Sequence, residues 1–222
     1  LIKAIIETVN ETIRNKIEPE TFELPIFPLG SVLFPGGTMA LKIFEQRYMD
    51  MAKNCLKHTK PFGIALIREG QEVGLTAAPH PVGSLARIDD WEMPNLGVLQ
   101  VKVIGGARFR IISSTVAASG LIIGTVIAID ADLPGSLPAA NQELDDCAQF
   151  LKKILAQINL MPGVAESQFT DASWVSFRIT ELLPFGGAVK QKMLELTDAK
   201  MRLEILHRFL TEQQLIGGVA KA

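Results

Sequence analysis

Residues 24–48 read LPIFPLGSVLFPGGTMALKIFEQRY. Two short apolar runs are wrapped around prolines and a Gly36-Gly37 pair, which marks a turn. After the turn Met39, Leu41 and Ile43 alternate with small or polar neighbours, the period-two signature of a strand with one buried face. A helix is then predicted from Glu45 to His58, with Tyr48, Met51, Ala52 and Cys55 inward. The pattern describes a compact β module with one inserted helix, and it contains no reactive group.

Outward from this stretch the same pattern continues. Short strands are predicted over residues 24–28, 38–44, 62–67, 82–91, 97–104, 107–113 and 121–130, separated by Gly, Pro or Asn. The Gly105-Gly106 pair is expected to turn a hairpin between two of them, because glycine reaches the positive φ such turns need. Residues 131–140, ADLPGSLPAA, form a linker of proline, glycine and small residues, after which the apolar period changes from two to 3.6. Leu144, Cys147, Ala148, Leu151, Ile154, Leu155 and Ile158 make one helical stripe. A second helix starts after Thr170 or Asp171, a third runs from Ala188 to Leu196, and a fourth follows Thr197-Asp198 and carries Met201, Leu203, Leu206, Phe209 and Leu210. The expected organisation is an amphipathic extension over 1–20, a closed or nearly closed sheet over 21–130, the linker, and a run of helices over 141–216. The fold class is α+β.

The segments LPIFPLGSVLFPGG, FE-x-RY at Phe44–Tyr48, VGSLARI at 82–88 and GGARFRI at 105–111 come in a fixed order. With the helical DASWVSFRITELLPF and VKQKMLELTDAKMRLEILHRFL they span most of the chain. In that order they resemble the amino-terminal substrate-binding domain of the Lon ATP-dependent proteases. The resemblance implies a PUA-like twisted β pseudo-barrel followed by a helical bundle. It also implies binding of unfolded or exposed apolar polypeptide, or of a partner protein such as a full-length protease.

Composition narrows the functional classes. Nearly half of the 222 residues are apolar, enough for a sizeable core without metal or disulfide. Cys55 and Cys147 fall on predicted helices among apolar neighbours and are expected to be buried thiols, which points to the cytoplasm. A net charge of −2 with interspersed signs supplies no basic stripe for phosphates, so nucleic acid is not expected. No apolar run reaches the roughly 20 residues that span a bilayer. Residues 1–18 place Ile2, Ile5, Ile6, Val9, Ile13 and Ile17 at helical spacing outside the family resemblance. A docking arm, an upstream extension and a remnant foreign to the fold all remain open for them.

The sequence contains no Gly-Lys pair, hence no phosphate loop of the G-x-x-x-x-G-K-[ST] type, and no G-x-S-x-G elbow. His58, His80 and His207 are too far apart for a local metal site, and no cofactor is expected. The acidic pairs Asp89-Asp90, Asp145-Asp146 and Asp130 with Asp132 read as a strand end, a first helical turn and a linker entry. Glu45, Arg47 and Tyr48 form an expected structural cluster, with Arg47 pairing a carboxylate across the sheet. Apolar side chains in loops are the binding candidates: Phe34, Pro35, Trp91, Met93 and Phe185. The expected function is non-enzymatic binding in a groove where barrel and bundle meet. The alternative is a small-molecule binder, or an enzyme, that uses that junction as a pocket.

Overall fold

A computed structural model describes residues 20–74, 77–132, 141–161 and 163–217. The predicted extension over 1–18 and most of the predicted linker lie outside the described residues. Strands β1 (Thr21–Leu29), β2 (Thr38–Ile43), β3 (Phe62–Glu69), β4 (Ala78–Asn95), β5 (Val98–Val116) and β6 (Ile122–Ala128) make one sheet. Helix α1 (Gln46–His58) is inserted between β2 and β3. Helices α2 (Gln142–Gln157), α3 (Ala172–Leu182), α4 (Gly187–Glu195) and α5 (Ala199–Glu212) form the bundle, with a 3₁₀ turn at Glu166–Thr170.

The sheet order is β2-β5-β4-β3-β1-β6, and β5 also pairs with β6. That last pairing closes β5, β4, β3, β1 and β6 into a ring, with β2 outside it, paired among the described residues with β5 alone. The α+β class with a closed, PUA-like ring therefore matches the sequence. All pairings are antiparallel except β1 with β3.

Two expectations about the strands are corrected. Gly105-Gly106 turns no hairpin: β5 runs through it, pairing with β2 over residues 99–104 and with β6 over 109–116. The turn lies at Leu96-Gly97, where Gly97 has φ +81°. Gly105 is there for close approach, since a Cβ on it would sit 2.1 Å from the Phe34 carbonyl oxygen. Likewise β4 does not end near Trp91 but continues to Asn95, so Asp89, Asp90 and Trp91 lie inside a long hairpin arm.

Alternation sorts this part of the chain between the barrel core and the core shared with the bundle, while Leu24, Ile26, Phe109 and Val126 belong to a third cluster. In β1 and the loop after it, Phe27, Leu29 and Leu33 enter the barrel core with Leu41, Ile43, Tyr48, Phe62 and Val103. Val32 and Phe34 turn the other way and join Leu66 and Val82 against the bundle residues Phe177, Ile179, Leu194 and Leu203. Full burial of a side chain such as Phe34 is worth about 1.5–3 kcal/mol. Side chains close the helix starts: Asn141 accepts from Leu144 N at 2.7 Å, and of the two expected caps of α3 it is Asp171 that accepts, from Ser173 N at 2.9 Å. Asp198 accepts from Lys200 N at 2.8 Å, satisfying another otherwise orphaned amide. In α5 Leu203, Leu206 and Leu210 are buried, whereas Met201 is exposed.

Candidate functional site

Beside β2 the wall of the barrel is not continuous among the described residues. Among the described residues β6 covers β1 only over Thr21–Ile26, and β2 has a strand neighbour only in β5. Between the uncovered part of β1 and the free edge of β2 lies a cleft of about 380 Å³. Phe27, Leu29 and Ser31 form one wall. Residues 39–43 of β2 form the other, and Phe44, Glu45 and Tyr48 close one end with Glu72 and Val73 above. Phe44 and Val73 are about half exposed, at 50% and 55%, and Met39 is half-buried. Large apolar groups left open beside an unpaired strand are the exception on a folded surface.

Glu45, Arg47 and Tyr48 hold this end of the cleft. Glu45 occupies the N-cap of α1. Its carboxylate pairs with Arg47, two residues along the chain, at 2.8 Å. Arg47 also donates to the carbonyls of Gly74 at 3.0 Å and Gly120 at 3.2 Å, tying two loops to the helix start. Its guanidinium lies 4.8 Å from the Tyr48 ring centroid, and that ring stacks on Phe27 at 3.9 Å. Burial pushes the Tyr48 hydroxyl pKa up against the pull of Arg47. Opposite, the Glu72 carboxylate accepts the Gly30 amide and holds Val73 over the cleft.

The centre of the junction of barrel and bundle, where a groove is expected, is packed with side chains. Phe34 is fully buried there against Phe177, with ring centroids 5.6 Å apart. Pro35 is partly buried beside it, its carbonyl accepting from Arg178 Nη2 at 3.1 Å. Phe185 packs edge-on against Phe209 at 5.0 Å. Near the same junction Asp132 sits between two buried guanidiniums. Arg108 reaches one carboxylate oxygen at 2.9 Å, and Arg202 bonds the other, which also accepts from Ser173 Oγ at 2.6 Å. Burial would raise the Asp132 pKa; the bonds from Arg202 and Ser173 and both positive charges outweigh it and hold it below the usual carboxylate range. Sequence reading missed this cluster. At the rim of the junction an open hollow of about 600 Å³ lies between Leu66 with His80 and Gly187 with Ala188.

Trp91 and Met93 are exposed, at 54% and 46%, on the β4–β5 arm, whose tip carries a fully exposed Leu96. Trp91 lines a second hollow with Ala40, Lys42 and Gln100 across the outer face of β2 and β5. The structure thus separates the five candidates: Trp91 and Met93 remain on the surface near β2, and Phe34, Pro35 and Phe185 are used in packing. The signal that would have found the cleft, a strand bonded on one side only, is a property of topology and not of local sequence.

Cys55 and Cys147 are both free and buried. Among the described residues, no group of three or more His, Cys, Asp and Glu side chains is placed to hold a metal ion. No described helix is long and apolar enough to cross a membrane, which leaves strand-built spans unaddressed.

A closed ring with an inserted helix, one strand outside the ring and a bundle packed on its side defines a PUA-like barrel-and-bundle domain. The family model described as the ATP-dependent protease La (LON) substrate-binding domain matches residues 23–212, and the chain belongs to that family. Lon protease 2 of Myxococcus xanthus is 27% identical over 202 residues, covering 87% of this chain and 24% of that protein. Lon protease of Anaeromyxobacter dehalogenans is 25% identical, over 87% of this chain and 23% of its own length. The chain therefore spans about a quarter of the curated relatives it matches. The crystal structure of a Lon N-terminal domain protein from Xanthomonas campestris superposes with a TM-score of 0.69 at 33% identity, covering 85% of this chain and 98% of the other. The N-terminal domain of a Mycobacterium avium complex Lon protease shares the fold, with a TM-score of 0.59, 16% identity and coverage of 86% and 99%.

Proposed function

We propose that this chain is a recognition domain that binds exposed apolar segments of polypeptide and transforms none of them. The observation that carries this is the cleft beside β2. There the buried Phe27, Leu29 and Tyr48 line the floor, and Phe44 and Val73 stand half exposed at its rim. Membership in a substrate-binding family supports a polypeptide as the occupant. Apolar area removed from water contributes about 25 cal/mol per Å², from which ordering of the bound segment subtracts. Trp91 and Met93, on the far side of β2, extend the surface for a longer segment. Two buried, free thiols favour the cytoplasm as its setting. The net charge of −2 disfavours nucleic acid as a partner.

The test is fluorescence anisotropy with a carboxymethylated, permanently unfolded protein as probe. Phe44→Asp and Val73→Asp are expected to weaken binding on the order of tenfold or more, since each puts a charge where apolar surface should be covered. Trp91→Ala combined with Met93→Ala tests the arm and should weaken binding of long probes only. Absence of binding to wild-type protein, or equal binding by the two cleft variants, would refute the proposal. A cleft of this volume also suits a small apolar molecule. In that case the unfolded probe would not bind, while a small apolar dye would bind the wild type and fail to bind Phe44→Asp.

A further inference from the structure

We infer that the cleft takes its polypeptide as an added β-strand, hydrogen-bonded to the open edge of β2 through Thr38, Ala40 and Lys42. This rests on the polypeptide-binding role proposed above and specifies its geometry. In an antiparallel pair, residues that exchange both backbone bonds with the partner alternate with residues that point both groups away from it. The phase here is fixed by the bond from Gly105 N to Gly37 O at 2.8 Å, in register with Thr38 opposite Ile104. Counting in twos from Gly37, Met39, Leu41 and Ile43 bond across to β5. Thr38, Ala40 and Lys42 therefore turn their N–H and C=O to the open side, where β2 has no strand partner among the described residues.

That open side faces the cleft. A strand laid there would place every second side chain over Phe27, Leu29 and Tyr48 and the others beside Thr38, Ala40 and Lys42 on the outer face. The favoured ligand is accordingly an extended segment, apolar at alternate positions and free of proline where its amides meet β2. A second copy of this chain fits less well. The edge is recessed between β1, Phe44 and the Glu72–Val73 rim. Two edges so walled cannot meet, whereas a single free strand can enter.

Three measurements test this on the whole chain. The probe is a short soluble peptide alternating leucine and threonine, together with two forms N-methylated at every second residue in opposite phases. One phase should bind on the order of tenfold or more weakly than the parent, and the other should bind like it, because only alternate peptide amides face β2. Amide exchange read by NMR should slow on peptide binding at Thr38, Ala40 and Lys42, with Met39, Leu41 and Ile43 protected beforehand. Ala40→Pro removes an N–H that β5 does not use, so an unchanged melting curve with weakened peptide binding is expected, and Ala40→Val should bind normally.

Equal binding of both N-methylated forms, or peptide binding with no slowing at those three amides, would overturn strand addition while leaving apolar recognition intact. Failure of the parent peptide and of the unfolded protein alike would remove the polypeptide role itself. Slowing at the same amides on raising protein concentration without peptide would identify a second copy as the occupant and refute the assignment. The exchange experiment decides the matter even if Ala40→Pro does not fold.

Discussion

Asp132→Asn removes one charge and changes almost no volume, yet it should be among the most damaging single substitutions in the chain. Arg108, Asp132 and Arg202 are 3%, 4% and 0% exposed, so one carboxylate balances two guanidiniums away from water. The second positive charge is tolerated because carbonyls surround it. Arg108 Nη1 donates to Leu194 O at 3.0 Å and Leu196 O at 2.6 Å, and Arg202 Nη1 to Leu196 O at 2.7 Å. The Phe177 ring lies 4.0 Å from the Arg202 guanidinium carbon. Neutralising Asp132 leaves both cations without a counter-charge, and breaking a buried pair in this way costs about 3–5 kcal/mol. For a chain of this size that is a fall in melting temperature of roughly 10 °C or more. Urea titration and thermal melting followed by circular dichroism measure it. Asp130→Asn is the internal control: Asp130 is exposed and offers only its carbonyl, at 3.3 Å from Arg108 Nη2, so its loss should stay within about 0.5 kcal/mol. The pH dependence has a definite sign. The folded Asp132 pKa is lowered, so its stabilisation is complete above the unfolded value near 3.8 and is lost as pH falls through the folded value below it. The acid limb of the wild-type stability profile should flatten in Asp132→Asn. A cost below about 1 kcal/mol, or an unaltered acid limb, would refute the account of the cluster as a charge-balanced tie.

Two further outcomes follow from packing. Burial, with Asp146 and Glu143 adding to it, pushes the Cys147 thiol up to about 12, and burial also raises Cys55. Neither thiol should react with a disulfide reagent at pH 8 in the native protein, and both should react in denaturant; rapid native labelling would contradict the burial. Gly105→Ala should cost about 2–3 kcal/mol in urea titration, because its methyl would overlap the Phe34 carbonyl oxygen, and a loss under about 0.5 kcal/mol would show that residues 34–37 yield freely.

Much of this architecture is legible in the sequence, and the misses share one cause. Alternation at Met39, Leu41 and Ile43, the acids at Asp171 and Asp198 and the 3.6 period of α2 are local signals, and each element forms where they place it. Gly105-Gly106 satisfied a hairpin turn and a close approach equally well. What decides is the Phe34 backbone, more than 70 residues away, against which only glycine fits. Phe34 itself stands in a loop, and loop residues are exposed by default. Its burial depends on Phe177, far along the chain. Arg108 alternates with apolar neighbours as any outward strand residue would. Nothing local reveals that Asp132 and Arg202 meet it. The free edge of β2 is likewise invisible locally, because it is defined by which strand fails to arrive.

An open strand edge is a hazard unless it is short, charged or hidden, and β2 is managed in all three ways. It has six residues, carries Lys42, and lies back between β1 and the Glu72–Val73 rim. Its shape is also held from both ends. At its start Gly36 N bonds Gly105 O at 2.8 Å, Gly37 N bonds Phe34 O at 2.9 Å, and Arg178 from the bundle grips the Pro35 carbonyl. At its end the Glu45, Arg47 and Tyr48 cluster fixes the first turn of α1. An edge so braced is already extended before any ligand arrives, so an added strand would bear the ordering cost on its own side only. The bundle thus acts on the cleft at a distance: by burying Phe34 and holding Pro35 it sets where β2 begins. Loosening that anchor with Arg178→Ala should weaken peptide binding in the cleft without touching a residue that lines it.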